Sequence, residues 1–257
     1  MNILYITPYV PSLIRTRPYN LIQALVQLGH RITLLTVSGS PTEEQPQVEA
    51  LRDTGVYVEV FPLTVTRSLI NCLQAVPTDD PLQAVYASHP AMARRISELL
   101  REGEFDVMHI EHLRAAKLVS AVRPSCRQRL PIIYDSVDSI SLLFEQAAHS
   151  GAQWRSRIMA AIDLNRTRRY EAQLMTQYDH VVITSRRDRE ALEQLARQYL
   201  PPDAHTAPVT VITNGVDLDY FRPQERDDSS DHPTVIFTGK MSYHANITAA
   251  LRFAREV

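Results

Sequence analysis

Eight short apolar runs separated by stretches of helical spacing constrain this chain more than any other feature. They fall at 2–7, 32–37, 56–61, 106–110, 132–134, 180–184, 209–212 and 235–237. Each is short, rich in β-branched residues and apolar on both alternations, the pattern of strands covered on two faces. The intervening segments supply helices. Residues 21–28 have helical spacing and end at Gly29, in the position just past a helix where positive φ is wanted. Residues 91–101 are amphipathic, and a long helix is expected over 154–178. Strands alternating with helices predict an α/β chain with a mostly parallel sheet.

Glycine usage narrows the class further. The 257 residues contain only 7 glycines, each isolated from the others. Neither a G-x-G-x-x-G turn nor a Walker A loop can be drawn, so a dinucleotide or P-loop site is disfavoured. A net charge of −2 gives no electrostatic footprint for nucleic acid. No apolar run reaches the roughly 18 residues needed to span a bilayer. The N-terminus enters a strand pattern at once, which leaves no room for a signal peptide. Cys72 and Cys126 lack metal-ligand spacing and are expected to be reduced, in a cytoplasmic protein.

Late in the chain, Val211, Ile212 and Thr213 run into Asn214-Gly215, then Val216, Asp217, Phe221 and Pro223. Asn-Gly readily takes positive φ, so a sharp turn is expected there, followed by a solvated connector and the run at 235–237. Two folding units and a single unit with one more strand-loop are equally open on this pattern.

In an open parallel sheet, ligands bind outside the carboxyl ends of the strands. Those ends carry Thr7, Pro8, Tyr9, Arg15 and Arg17; Glu111 and His112; Asp135, Ser136 and Asp138; and Ser185 with Arg186. Carboxylates, a histidine and arginines on one rim suit a polyhydroxyl substrate. Each has a structural alternative: Asp135 and Asp138 as helix caps, His109 as a core histidine, Arg15 and Arg17 as loop charges rather than phosphate ligands. In the long helix, Trp154, Ile158, Ile162, Tyr170, Leu174 and Tyr178 form an apolar stripe, with Arg155, Arg157, Arg166, Arg168 and Arg169 around it. It reads either as a packed helix with a solvated basic side or as a surface resting near anionic lipid.

The segments VITNGVDLDYFRP and VIFTGKMSYHAN, with NILYITPYVPS at the start, resemble glycosyltransferase family 4 of the GT-B fold. The likeness is strongest to the subgroup associated with exopolysaccharide and exosortase loci. It implies a Rossmann-like acceptor-side domain over 1–207, an interdomain strand and connector over 208–232, and the opening strand and helix of a second Rossmann-like domain over 233–257. That second domain would be truncated, since the paired glutamates eight apart of the family are missing.

The implied activity is sugar transfer from a nucleotide-diphosphate donor to a glycan or lipid-linked acceptor in polysaccharide biosynthesis. The hexosyltransferase would retain configuration and need no metal or other cofactor. The resemblance places Glu111, His112 and Asp138 at the reaction centre, with Glu111 standing where the family carries a histidine. Tyr9, Arg15, Arg17, Asp135 and Ser185 fall on the acceptor; Asn214, Gly239, Lys240 and Asn246 fall on the donor. Asp217-Leu218-Asp219 is expected to be a turn rather than a metal motif. The location implied is cytoplasmic, with peripheral contact at the inner face of the plasma membrane through 154–178. The alternative from another class is a non-catalytic acceptor-binding subunit. Residues 1–257 alone are expected to transfer sugar poorly.

Overall fold

The computed structural model describes residues 1–103, 105–120, 122, 130–149, 154–222, 235–239, 241 and 244–256, the side chains of 146–149, 154–162 and 244–245 excepted. Two compact units are present, Met1–Gly215 and Val216–Val257.

The first unit is a Rossmann-like α/β fold. Its strands are β1 (Asn2–Thr7), β2 (Arg31–Ser38), β3 (Tyr57–Pro62), β4 (Val107–Glu111), β5 (Ile132–Val137), β6 (His180–Ile183) and β7 (Val209–Val211). All pair in parallel, in the order β3-β2-β1-β4-β5-β6-β7. The chain starts in the middle, winds one way to β3 and then the other way from β4. The direction of winding therefore reverses between β1 and β4, which opens a crevice at their carboxyl ends.

Helices connect the strands: α1 (Thr16–Gln27), α2 (Pro41–Asp53), α3 (Val65–Ala75), α4 (Leu82–Val85), α5 (Pro90–Glu102), α6 (His112–Ser120), α7 (Ile140–His149), α8 (Trp154–Leu174) and α9 (Arg186–Tyr199). The alternation of the strands sorts their side chains onto two cores. Leu4, Ile6, Leu35, Met108, Ile110, Tyr134, Val181 and Ile183 share one buried cluster with residues of α5, α6, α8 and α9. Tyr5, Ile32, Leu34 and Val58 share the other with Ile22 of α1 and Val48 and Leu51 of α2. Both faces are thus covered, which is why the strands read as continuous apolar runs.

Gly29 ends α1 as its position predicts. Its φ is +81°, its N–H donates to the Val26 carbonyl and His30 N–H donates to the Leu25 carbonyl, the two bonds of a Schellman motif. The helix begins at Thr16, ahead of the expected 21, because Pro18 sits in the first turn, where no N–H is needed.

Three local expectations are corrected. Residues 235–238 are exposed and form no strand. An extended segment becomes a strand only beside a partner that takes its N–H and C=O groups, and no described residue of Val216–Val257 supplies one. The second unit's regular element is therefore α10 (His244–Glu256) alone among the described residues. Asn214-Gly215 does not form the positive-φ turn; the positive-φ glycines among the described residues are Gly29 and Gly55. The turn comes two residues later, where the Asp217 carboxylate accepts the N–H groups of Asp219 and Tyr220 and its carbonyl accepts that of Phe221.

The long helix stops at Leu174, short of 178. Tyr170, Leu174 and Tyr178 are buried as its stripe implies; Trp154, Ile158, Ile162, Arg155 and Arg157 lie outside the described side chains. Arg168 is paired with Glu145 at 2.6 Å and Arg166 donates to the Val76 carbonyl at 2.9 Å. Arg169 is exposed.

Candidate active site

A polar layer lies on the α1-facing side of the sheet, at the carboxyl ends of β1, β4 and β5. Register builds it. Tyr5 of β1 pairs with His109 of β4, and Glu111 of β4 pairs with Asp135 of β5, so period-two alternation turns all four the same way. The Arg17 guanidinium reaches down from the first turn of α1 to join them.

Glu111 is fully buried. Tyr9 donates its hydroxyl to one carboxylate oxygen at 2.7 Å and Tyr5 donates to the other at 3.1 Å. Burial pushes its pKa up to about 8, with Asp135 adding to the rise and the two tyrosines and Arg17 opposing it. At neutral pH the group is mostly a protonated acid. The phenols are driven up as well, by burial first and then by Glu111.

Asp135 is the ionised carboxylate of the pair. Arg17 donates through Nε at 2.9 Å and lies 2.8 Å away through Nη2, while Asp135 also accepts the Val137 N–H at 3.0 Å. Burial raises its pKa and Arg17 opposes the rise. The remaining Arg17 nitrogen donates to the Ile212 carbonyl at 2.9 Å and to the Asn214 side chain at 3.0 Å. Arg17 therefore spans β5 and the segment after β7. A cation this committed is part of the interior rather than a free phosphate ligand.

His109 stacks on Tyr5 with ring centroids 4.3 Å apart. Its Nε2 is 3.7 Å from Asp135 and makes no hydrogen bond. Burial, then Arg17, lowers its pKa to about 3, so it is neutral.

Two residues beside this layer have strained backbones. His112, the junction of β4 and α6, has φ +69°, and Val137 has φ +65°. For a β-branched residue this is an outlier. The Asp138 N–H donates to the Ser136 carbonyl at 2.8 Å across Val137, a γ-turn, and the β5–β6 register shifts there. Both strained residues follow strands that border the crevice, where such strain concentrates.

The His112 Nδ1 accepts the Arg114 N–H at 3.3 Å, which places the ring proton on Nε2. Desolvation and then Arg114 lower its pKa to about 3. Asp138 accepts from the Thr184 hydroxyl at 3.2 Å and is raised by burial.

The remaining expected residues divide. Tyr9 is half-buried and sits edge-on to His112 at 6.4 Å, in reach of the rim. Arg15 lies over the Tyr9 ring at 4.8 Å and is paired with Glu44 at 2.9 Å. Ser185 is the N-cap of α9: its hydroxyl accepts the Asp188 N–H at 3.1 Å and donates to the Asp188 carboxylate. Asp135 and Asp138 do not cap α7. That end is closed by Ser139 and by the buried Glu171, which accepts the N–H groups of Ile140 and Ser141 at 2.6 and 3.2 Å.

In the second unit, Gly239 lies against Asn246, whose amide is 2.8 Å from where a Cβ on the glycine would stand. Lys240 lies outside the described residues. The expected residues thus brought together are Tyr9, Arg15, Arg17, Glu111, His112, Asp135 and Asp138, with Asn214 attached through Arg17. Tyr5 was missed by reading only residues after strand ends. Its signal was available in the alternation that turns it toward His109. Among the described residues, no three His, Cys, Asp or Glu side chains converge as metal ligands would.

Comparison with known proteins bears on this geometry. No curated protein matches the chain. Among solved structures it is similar to a UDP-glucosyltransferase from Polygonum tinctorium, at 10% identity and a TM-score of 0.45, covering 83% of this chain and 52% of that one. It is similar also to UGT89C1 from Arabidopsis thaliana complexed with UDP-L-rhamnose, at 15% identity and 0.40, covering 88% and 55%. A short-chain dehydrogenase/reductase from Sinorhizobium meliloti scores 0.40 at 11% identity, covering 86% and 99%. The chain spans about half the length of the two glycosyltransferases. The sequence model of glycosyltransferase family 4 matches residues 14–220. That match covers most of the chain, including Arg17, His109, Glu111, Asp135 and the Asn214-Gly215 segment, and begins after Tyr5 and Tyr9: the chain belongs to glycosyltransferase family 4.

Proposed function

We propose that the chain carries the acceptor side of a retaining transfer from a nucleotide-diphosphate hexose to a glycan or lipid-linked acceptor in polysaccharide biosynthesis. The observation that carries this reading is the Tyr9–Glu111 pair at the β1/β4 crevice. Tyr9 is the member that reaches the rim, and a buried acid holds its hydroxyl. Glu111 itself has both oxygens occupied and no exposed surface, so Tyr9 presents the pair to an acceptor hydroxyl. In the transfer, the acceptor oxygen bonds to the anomeric carbon as the bond from that carbon to the phosphate oxygen breaks. The acceptor proton passes on the same face to the departing phosphate. The protein's part is to orient the hydroxyl and exclude water. His112 Nε2–H and Asp138 are the other polar groups at this rim. Residues 1–207 form the acceptor domain in this reading, 208–232 the connector and 233–257 the start of the donor domain, with Asn214, Gly239, Lys240 and Asn246 on the nucleotide sugar.

A second reading, acceptor binding without turnover, is favoured by one observation. The cations expected to face phosphate, Arg15 and Arg17, are matched by Glu44 and Asp135. The two readings part in one experiment. Residues 1–257 are mixed with labelled nucleotide-diphosphate sugars and a panel of oligosaccharides and polyprenyl-linked saccharides, and binding and product are measured separately. Saturable saccharide binding, weakened roughly tenfold in Tyr9→Phe by loss of one hydrogen bond, is the expected result, with slow or no product. Rapid product formation would exclude the non-catalytic reading. Saccharide binding that is absent, or equal in Tyr9→Phe, would sink the proposed site.

This reading puts the chain in the cytoplasm, working at the inner face of the plasma membrane when the acceptor is lipid-linked. The basic stretch 154–178 is a weak membrane contact, since two of its three described arginines are committed to Glu145 and Val76. No helix among the described residues is long and apolar enough to cross a bilayer.

A further inference from the structure

Arg114 is a cation that the fold orients without neutralising. It stands in the first turn of α6, just past the carboxyl end of β4, and is half-buried. Its Nη2 donates to the Gln83 side-chain oxygen at 2.6 Å and its Nε donates to the Gln83 carbonyl at 3.3 Å. The guanidinium also lies over the Tyr86 ring, 5.4 Å from its centroid. Two bonds to α4 and one ring fix the plane of the fork, and none of these partners is an acid. Nearby cations are held differently. Arg17 has Asp135, Arg15 has Glu44, and Lys117, one turn further along α6, has Asp80 at 2.7 Å. Among the described residues no carboxylate lies within ion-pair distance of Arg114, and its Nη1 makes no hydrogen bond.

The surroundings leave that charge unanswered. The groups facing it are Tyr86, Tyr9 and Cys72, phenols and a thiol, and Arg15, which carries the same sign. Burial is the first cause that lowers the Arg114 pKa. Taking a guanidinium partly out of water without an opposite charge is unfavourable, and a neutral donor could join α6 to α4 equally well. An ion kept on those terms at the rim of a crevice points to a ligand that completes it. Its position suits one. The Arg114 N–H donates to His112 Nδ1, and the guanidinium charge acts on His112 as well as on Tyr9, the two groups that reach the rim beside Glu111.

We propose that Arg114 is a specificity residue for an acidic acceptor: a saccharide whose hydroxyl meets Tyr9 and whose carboxylate or phosphate group is taken by the open side of the guanidinium. With Nε and one N–H of Nη2 engaged by Gln83, the Nη1 side of the fork remains for an anion, which a planar guanidinium binds through paired hydrogen bonds. Arg15 is the lesser candidate, because Glu44 already holds it. The inference rests on the acceptor reading of Tyr9 and narrows it, from any glycan to one that carries negative charge near the reacting hydroxyl.

The test is titration of the 257-residue chain with a glucuronate-terminated disaccharide and with the same disaccharide as its neutral methyl ester. A second pair, a glucose-terminated disaccharide with and without a 6-phosphate, distinguishes the two acids. The expected result is that at least one acid binds about tenfold or more tightly than its neutral counterpart; the pair with the larger ratio names the acid. That ratio should fall to near one in Arg114→Gln and recover in part in Arg114→Lys. It should fall also in Gln83→Glu, which leaves the arginine in place and supplies the carboxylate that the fold omits. A merely structural Arg114 would not respond to that change, and Gln83→Glu serves alone if Arg114→Gln does not fold. Two results overturn the proposal: acid and neutral sugars bound equally by the parent in both pairs, or a preference for acid that survives both variants. Tyr9→Phe keeps the two readings apart. If it weakens binding of the neutral sugars and no acid is preferred, the subsite at Arg114 fails alone. If it changes nothing while the acid preference tracks Arg114, the reading at Tyr9 fails and the anion subsite stands. Binding of none of the four sugars overturns both.

Discussion

At the residue scale, the polar layer balances its charges by leaving one acid protonated. Asp135 has Arg17; Glu111 has only hydroxyls. Its folded pKa of about 8 lies above the ordinary 4.5, so between those values the folded protein holds a proton that the unfolded chain has released. Stability from this group is therefore full below the ordinary pKa and is lost as pH rises through about 8. Glutamine has the same shape and no titration. Glu111→Gln should melt progressively higher, relative to the parent, on going from about pH 5 to about pH 9. Parallel melting profiles across that range would show that Glu111 is already ionised in the fold. The carboxylates and arginines were legible because chemistry-bearing residues after strand ends can be read off directly. What they do was not legible. Whether Arg17 faces phosphate or Asp135 depends on a contact 118 residues away in sequence, and no local pattern reports it.

Elements were legible where they announce themselves by period or by a stop signal. The seven strands of the first unit and Gly29 as the end of α1 are of this kind. Residues 235–237 had the right composition but, among the described residues, no neighbour to ladder with, which composition does not encode. In α3 the spacing is regular and the side it turns inward is opposite to what amphipathicity implies, because Asn71 finds two backbone carbonyls. Ser185 makes a prediction at this scale. Sequence reading placed it on the acceptor, and the fold uses it to cap α9, with Asp188 also accepting the Ser139 N–H at 3.2 Å. Ser185→Ala should cost about 1 kcal/mol, read as a drop of roughly 2–4 °C in melting temperature, and leave saccharide binding unchanged. A loss of binding with unchanged stability would return Ser185 to the site.

At the scale of the whole molecule, both hydrophobic clusters lie between Leu4 and Val211, inside Met1–Gly215. The large apolar side chains described in Val216–Val257 are exposed, among them Val216, Leu218, Phe221, Val235 and Ile236. Among the described residues, stability that comes from burial therefore resides in the first unit, since exposed side chains contribute no transfer free energy. Arg17 keeps its partners Ile212 and Asn214 within that unit, so cutting after Gly215 leaves no buried charge unpaired. Residues 1–215 expressed alone should unfold in one cooperative transition, at a melting temperature within a few degrees of the 257-residue chain. They should also keep the Tyr9-dependent saccharide binding, and they should be the more soluble of the two. A broad, non-cooperative melt, or a fall of tens of degrees, would mean that the last 42 residues cover part of the first unit's core.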